Sequence, residues 1–407
     1  MNIIPAFELK GWRATESHCK NNTVVVKYKF CRKGNFDCPL CGARMQYRGS
    51  RSIPVRDTPY NEPDIILEVE CPSMRCHCCD MYRRIRPEAI HPSRAMTWRF
   101  MEQLCTMMTE CSARLLAARY RISESSVLRV DREVLALIDK AKPVSMEGRT
   151  ALIIDEKYLG SRRKFVTCVV DGYTGGILRL AEGKGADSLR DFFGGMTQEE
   201  QDSIEVVSVD RGNAYMKAVR EHLPASDLSF DPFHIIKNIN DAVTEVRRAQ
   251  YRAADKLDKS FIKGQRFLLP KAGEKLDDDR KSRLKALLDI NGPIQTAYLL
   301  KEQAREIYKP YYLSDAAPAL AEWLELAAAS GLKPFRRLAK TMGKHVRSIL
   351  DYFRHKLSSG RIEGVNSMIA RVLHKTRGIG STEHLRLKLR ALTSPVFRLL
   401  MGRVTDC

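Results

Sequence analysis

Two aspartates each close a short apolar run. Asp155 ends Ala151-Leu152-Ile153-Ile154, and Asp210 ends Val206-Val207-Ser208-Val209. Runs of this kind suit strands buried on both faces. If the two strands are parallel neighbours, the carboxylates converge at one sheet edge. Paired carboxylates there can hold divalent cations for phosphoryl transfer, one cation serving the attacking oxygen and the other the leaving oxygen. Taken singly, a strand-ending Asp is more readily a turn former. Pattern alone therefore points no further than a metal-dependent nuclease.

Cysteines make a second constellation. Eight of the twelve lie at or before Cys79, and four form the pairs Cys38-Pro39-Leu40-Cys41 and Cys76-His77-Cys78-Cys79. Four thiolates from two CxxC pairs match a tetrahedral structural zinc site. Cys38, Cys41, Cys76 and Cys79 are the preferred ligands, with His77 and Cys78 as rivals in the second pair. The gap between pairs leaves room for two or three strands. Such a zinc would staple a small module whose own core is too poor to fold alone.

The third constellation runs from Cys111 to Val130. A helix stops near Tyr120, and Ser123 can cap the next by accepting from the amide of Ser125 or Ser126. That second helix, expected over 123–138, presents Glu124, Ser125, Ser126 and Arg129 outward, while Val127, Leu128 and Val130 pack. This is helix-turn-helix geometry, with Ser125, Ser126 and Arg129 as candidate base-reading side chains in a major groove.

The elements that must hold these residues follow from pattern. Residues 1–92 mix short β-like runs with turns, and Pro87 and Pro92 close them. Helical periodicity begins at Ser93, with Met96, Phe100, Leu104 and Met107 in phase, and 143–148 reads as a linker. Strands are expected at 151–155, 165–170, 177–181, 205–209 and 228–230, with helices near 187–195 and 213–222. The turn Asp171-Gly172-Tyr173-Thr174-Gly175-Gly176 joins two strands too tightly for a crossover, so they are antiparallel. From Pro232 onward nearly everything reads as helix.

The 407 residues carry 69 Lys and Arg against 49 Asp and Glu, a net charge of +20. The stretch Lys333 to Arg377 holds 12 basic and 2 acidic residues, half of that excess. Such a concentration suits a polyanion, because each neutralised phosphate releases counterions. No apolar run approaches the ~18 residues of a membrane span. The start of the chain lacks a secretion signal, so the expectation is a cytoplasmic protein with no membrane partner.

The order of these motifs resembles that of bacterial insertion-sequence transposases of the ISL3 type. The matching stretches are Cys38-Pro39-Leu40-Cys41-Gly42, Arg75 to Cys79, Ile154-Asp155-Glu156, and Ser208 to Tyr215. Downstream come Phe230-Asp231-Pro232-Phe233-His234-Ile235 and Ser359 to Ser367. The chain departs at Arg211, where an apolar residue is common, and at Arg361, where Pro is common.

The resemblance implies a multidomain α/β protein. A zinc ribbon (1–92) and a helix-turn-helix (93–142) would precede an RNase H-like, retroviral-integrase-like catalytic core. That core (143–234 and 346–407) would be interrupted by an all-α insertion (235–345). Asp155, Asp210 and Glu363 would form a DDE triad holding two Mg²⁺ or Mn²⁺ ions, beside the structural Zn²⁺. Glu156 is kept out of the triad because strand alternation turns it to the other face.

Asp231 is a reserve ligand, and His234, Arg361, Asn366, Arg371 and Lys375 are candidate DNA contacts. Asn366, one turn after Glu363, would orient that carboxylate or touch DNA. Trp323 is a reserve contact for transposon ends, although core packing is commoner for a lone Trp. The implied activity is cleavage and strand transfer at terminal inverted repeats. The substrate is double-stranded DNA, handled by a homodimer or larger synaptic assembly associated with the nucleoid. The alternatives are a catalytically inactive zinc-ribbon/helix-turn-helix regulator and a stand-alone RNase H-like nuclease.

Overall fold

A computed structural model describes residues 8–31, 36–59, 63–160, 164–210, 213–255, 259, 262–263, 267–271, 273–309, 312–357, 360–376 and 379–393. Arg211, Gly212 and Ser359, which contribute to the resemblance, lie outside the described residues. The chain divides into two compact units, one of Met1–Pro143 with Ile369–Cys407 and one of Val144–Met368.

In the first unit, strands β1 (Trp12–Lys20), β2 (Thr23–Phe30), β3 (Met45–Asp57), β4 (Asp64–Cys76) and β5 (Tyr82–Arg84) form one sheet. Its order is β1-β2-β4-β3, with β5 on β4. Asn21 and Asn22, both at positive φ, make the two-residue turn between β1 and β2, a conformation that Asn tolerates. Along β2 the burial alternates strictly, with Val24, Val26 and Tyr28 buried. They pack with Val55, Ile65, Leu67 and Val69 into a one-sided core.

Helices α1 (Trp98–Met107), α2 (Ala113–Tyr120) and α3 (Glu124–Ala141) follow. The helical run begins at Trp98 rather than Ser93 because Thr97 is the N-cap. Thr97 Oγ1 accepts from the Phe100 amide and donates to buried Asp57 at 2.6 Å. The helix Thr382–Thr393 packs on α3, and Leu387 and Ala391 join Phe100, Leu104, Leu116, Val127 and Val130 in a single core. This corrects the expected boundary, since residues from Ile369 onward group with the first unit rather than with 346–368. Burial decides the matter: Leu387 and Ala391 fill gaps between α1 and α3 that sequence order does not announce.

The second unit is built on β6 (Ala151–Gly160), β7 (Lys164–Asp171), β8 (Ile177–Glu182), β9 (Val206–Val209) and β10 (Asp227–Phe230), in the order β10-β9-β6-β7-β8. The β6/β7 and β7/β8 pairs are antiparallel, whereas β6/β9 and β9/β10 are parallel. Helices α4 (Asp187–Gly194) and α5 (Gln198–Asp202) lie in the β8–β9 connection, and α6 (Asn213–His222) in the β9–β10 connection. Helix α7 (Pro232–Ala253) leads into helices at Asp278–Ile290, Gly292–Glu306, Leu313–Ala329, Lys333–Gly343 and Val346–His355. These helices share one continuous core with the sheet, running from Ile154, Val209 and Phe230 through Ile239 and Ala297 to Trp323 and Phe353.

Trp323 is 2% exposed, and its Nε1–H donates to the Leu300 carbonyl at 2.7 Å. Its ring is a core element, which corrects the reserve assignment of Trp323 to DNA contact.

Candidate active site and metal centre

Strand register aligns the carboxylates. Across β6 and β9, Ile153 sits beside Ser208 and Ile154 beside Val209. Across β9 and β10, Ser208 sits beside Ser229 and Val209 beside Phe230. One residue further on come Asp155, Asp210 and Asp231, at the level where β9 and β10 end. Side chains alternate along a strand, so this row shares the face of Ala151, Ile153, Val206 and Ser208. The opposite face carries Leu152, Ile154, Val207 and Val209, packed with Leu189, Phe193, Met216 and Val219. Glu156 belongs to that opposite side. It pairs with Thr167, whose hydroxyl meets those of Ser188 and Tyr215 at 2.7 and 2.8 Å.

His234 stands between two carboxylates of the row. His234 Nδ1 lies 3.4 Å from Asp210 Oδ1, and its Nε2 lies 4.0 Å from Asp231 Oδ2. Asp231 is the N-cap of α7, accepting from the Phe233 amide at 3.2 Å, with Pro232 at the first helical position. An Asp N-cap followed by Pro starts a helix abruptly, which fixes both Asp231 and His234 at the end of β10.

Glu363 is carried by the helix Gly360–Thr376 and is exposed. Asn366, one turn later, donates from Nδ2 to Asp155 Oδ2 at 2.8 Å. The other carboxylate oxygen, Oδ1, accepts from the Glu156 amide at 2.8 Å. The approach to this helix is anchored by Leu357, which packs with Ala151 and Val206. A Cβ built on Gly172 would meet the Ala151 Cβ at 2.8 Å and Leu357 Cδ2 at 3.0 Å. Only glycine lets the β7–β8 turn come so close. Arg361 lies by the same turn, 3.7 Å from a Cβ built on Gly175, and is exposed together with Arg371.

Cys168 stands opposite Asp155 across β6 and β7. Burial, and secondarily the Asp155 charge, push its thiol up to about 12, so it stays protonated at neutral pH.

The cysteines converge as their spacing suggests. Sγ atoms of Cys38, Cys41, Cys76 and Cys79 all lie within 4.8 Å of one another. Cys38 is 3.4 Å from Cys79, and Cys41 is 3.5 Å from Cys76. Two tight turns present them. Gly42, at φ +72°, closes the first by donating to the Cys38 carbonyl at 2.8 Å, and the Cys76 amide bonds the Met81 carbonyl across the second. Pairing of Met45 with Cys76 brings both turns to one end of the sheet. His77 instead places Nδ1 3.2 Å from the Arg44 carbonyl, and neither it nor Cys78 belongs to the cluster. The Cys79 and Cys78 amides draw the Cys76 thiol down to about 6, whereas Cys41, bonded to its neighbouring thiols, is pushed up to about 12, so the cluster shares its protons until a cation displaces them. Four sulfurs at tetrahedral spacing could hold zinc, and the cluster fits a zinc ribbon.

Among the described residues this is the one group of three or more potential ligands closing on a single point. The acidic residues form a row instead.

On α3, Ser123 caps by accepting from the Ser126 amide at 3.2 Å. Ser125 and Arg129 are exposed, with Arg129 Nε donating to the Ser125 carbonyl, while Ser126 is half-buried against Ser123. Lys375 pairs with Glu110. One feature gave no signal beyond an i,i+4 spacing: Asp131 and Lys388, both fully buried, pair at 2.6 Å, with His384 Nε2 at 2.7 Å from the same carboxylate.

A sheet with aligned carboxylates and a late helix bearing an acidic residue, in a chain that also bears a four-cysteine cluster and the short helical hairpin α2–α3, fits the class of DDE-type transposases. Residues 152–389 match the family DDE_Tnp_ISL3, described as a transposase. The chain belongs to this ISL3-type insertion-sequence family. It is 25% identical over 358 residues to the transposase for insertion sequence element IS1001 of Bordetella parapertussis, covering 87% of this chain and 88% of the relative. It is 24% identical over 374 residues to the transposase for IS1557 of Mycobacterium tuberculosis (strain CDC 1551 / Oshkosh), covering 86% and 83%. No helix among the described residues is long and apolar enough to cross a membrane.

Proposed function

We propose that this transposase binds the terminal inverted repeats of its element and performs metal-dependent strand cleavage and strand transfer. The catalytic residues are Asp155, Asp210 and Glu363, with Asp231 as a further oxygen donor. The observation that carries this reading is the register that aligns Asp155, Asp210 and Asp231 while Asn366, one turn from Glu363, bonds to Asp155. The sheet order, with three antiparallel strands and two parallel ones added at β6, supports an RNase H-like core.

All-oxygen donors suit Mg²⁺ or Mn²⁺, and two such ions supply activation of a nucleophile and stabilisation of a leaving oxygen. The chain's own work is positional. Asn366 and the Glu156 amide hold Asp155 in one orientation, and His234, 3.4 Å from Asp210, does the same for Asp210. His234 is also near enough to the row to donate to a phosphate. Water attacks a phosphodiester at the element's end and the 3′-oxygen leaves as a hydroxyl; that hydroxyl attacks a target phosphodiester in the same site, loses its proton and displaces the target strand's 3′-oxygen, which leaves protonated. No covalent protein–DNA bond forms.

A zinc ion held by Cys38, Cys41, Cys76 and Cys79 keeps the ribbon folded. The ribbon and α3 read the ends, with Lys and Arg on phosphates and Ser125, Ser126 and Arg129 at base edges. Arg361, Arg371 and Lys375 belong to the basic stretch that supplies phosphate contacts. Two ends are brought together by a homodimer or larger assembly, so cleavage rate should rise with protein concentration beyond saturation of a single end.

The test is Glu363→Gln. It should abolish metal-dependent cutting while leaving end binding within about twofold, as expected for removal of a cation ligand outside the reading surface. A cutting-competent Glu363→Gln enzyme would remove Glu363 from the triad. An inactive regulator would bind the ends and never cut them.

A further inference from the structure

Beside the carboxylate row the second unit has an open cleft of about 670 Å³, whose lining includes Phe233, Ile236, Lys271, Lys275, Arg305 and Tyr308. Its character is mixed, with two aromatic rings inside and three cations around them. Phe233 is 55% exposed, so its ring is open to the cleft. Its edge meets the His234 ring at 5.5 Å, and His234 in turn contacts Asp210. Tyr308 is held flat on Phe353, with ring centroids 5.7 Å apart and an interplanar angle of 10°.

The rim is fixed as well. Lys301, fully buried, donates from Nζ to the carbonyls of Leu269 and Lys271 at 2.9 and 2.6 Å and pairs with Glu302. The segment carrying Lys271 is thereby held, while Lys271 and Lys275 remain exposed. Arg305 is partly neutralised by Glu274 at 2.8 Å, which leaves the two lysines, among the described residues, as the rim cations open to a phosphate.

We propose that this cleft receives a single unstacked nucleotide of the DNA end, its base against Phe233 and Tyr308 and its flanking phosphates on Lys271 and Lys275. The proposal rests on the reading that DNA lies at the carboxylate row. Aromatic faces accept any base by stacking, and lysines beside them neutralise the backbone. Taking one nucleotide out of the stack frees both faces of its base for stacking on protein rings. Phe233 and His234 are neighbours on the first turn of α7, which Asp231 caps, so the cleft and the candidate active site share that turn.

The experiment uses the full chain and duplexes bearing the element's own end. 5-Iodo-2′-deoxyuridine is placed at one position at a time, on either strand, through the cleavage point. Irradiation without divalent cation should crosslink one or two of these positions to the peptide containing Phe233 or Tyr308. Phe233→Ala should lose that crosslink and cut about tenfold more slowly, with end affinity within about twofold of wild type. Phe233→Trp should restore both.

Cutting at the wild-type rate by Phe233→Ala, with crosslinks mapping elsewhere, would overturn the cleft proposal and leave the carboxylate reading intact. A crosslink to Phe233 in a wild-type protein that never cuts with Mn²⁺ would uphold the cleft and refute the carboxylate reading. Absence of both would refute both.

Discussion

Asn366 Nδ2 donates to Asp155 Oδ2 at 2.8 Å across 211 residues of chain. This bond joins β6, the first strand of the second unit's sheet, to the helix that bears Glu363, and the proposed site depends on it. Residues three apart on a helix share a face, so Glu363 lies on the helix face that Asn366 turns toward Asp155. Removing such an orienting group typically costs 10–100-fold in metal affinity or activity.

Asn366→Ala should therefore lower Mn²⁺-dependent cleavage by about 10–100-fold and raise the Mn²⁺ concentration needed for half-maximal rate, with end binding unchanged. Asn366→Asp, which sets a second negative charge against Asp155, should shift the metal requirement further. A variant of normal metal dependence would reduce Asn366 to a packing residue.

The cysteine cluster makes a separate prediction. Purified protein should contain one zinc per chain, and Cys38→Ser or strong chelation should remove it and abolish end binding. The helices should survive by circular dichroism, because the cluster's own core is limited to Cys38, Met45, Met74 and Cys76. Substitution of Cys78 or His77 should leave zinc content unchanged. Zinc lost from the Cys78 variant would show that the ligand set includes it.

The buried group Asp131–Lys388–His384 governs the stability of the helical part of the first unit. Burial raises the Asp131 carboxyl, but the Lys388 charge and the His384 and Lys388 hydrogen bonds outweigh it and hold the carboxyl below its ordinary value. A depressed carboxyl contributes stability that is present above its unfolded value of about 3.9 and is lost as pH falls through the folded one. Unfolding monitored from pH 7 down to pH 2 should show this loss in the acid range. Asp131→Ala should cost about 3–5 kcal/mol by stranding Lys388, whereas an apolar double replacement of Asp131 and Lys388 should be far milder. Equal losses in the two variants would contradict the pairing.

Trp323 offers a control for the helical region. Trp323→Ala should destabilise the second unit by about 3–5 kcal/mol, while Trp323→Phe retains most of the packing. Neither should change the salt dependence of DNA binding, which counts phosphate contacts.

Much of this is legible in the sequence because the relevant signals are local. The strands at 151–155 and 205–209 stand out as apolar runs, and their carboxylates stand out as abrupt ends. Ser123 announces itself as a cap. Glu363 is legible only through resemblance, for it sits on an exposed helical turn 153 residues beyond Asp210 with nothing nearby to mark it. The second zinc pair cannot be chosen from Cys76-His77-Cys78-Cys79, because the choice depends on where β4 ends and on the turn through Asp80 at φ +61°. The grouping of Thr382–Thr393 with α3, and the cleft between Phe233 and Tyr308, arise from tertiary packing between segments far apart in sequence. Periodicity does not encode such contacts.

In the proposed mechanism Asp155, Asp210 and Glu363 together cut DNA. The most direct measurement is cleavage of duplex DNA bearing the element's own ends, with Mn²⁺, by the wild-type chain and by Asp210→Asn at protein concentrations that permit paired complexes. The account predicts metal-dependent cutting at the 3′ end by the wild type, its loss in Asp210→Asn, and unchanged end binding in both. Specific binding without cutting by the wild type, or undiminished cutting by Asp210→Asn, would contradict it.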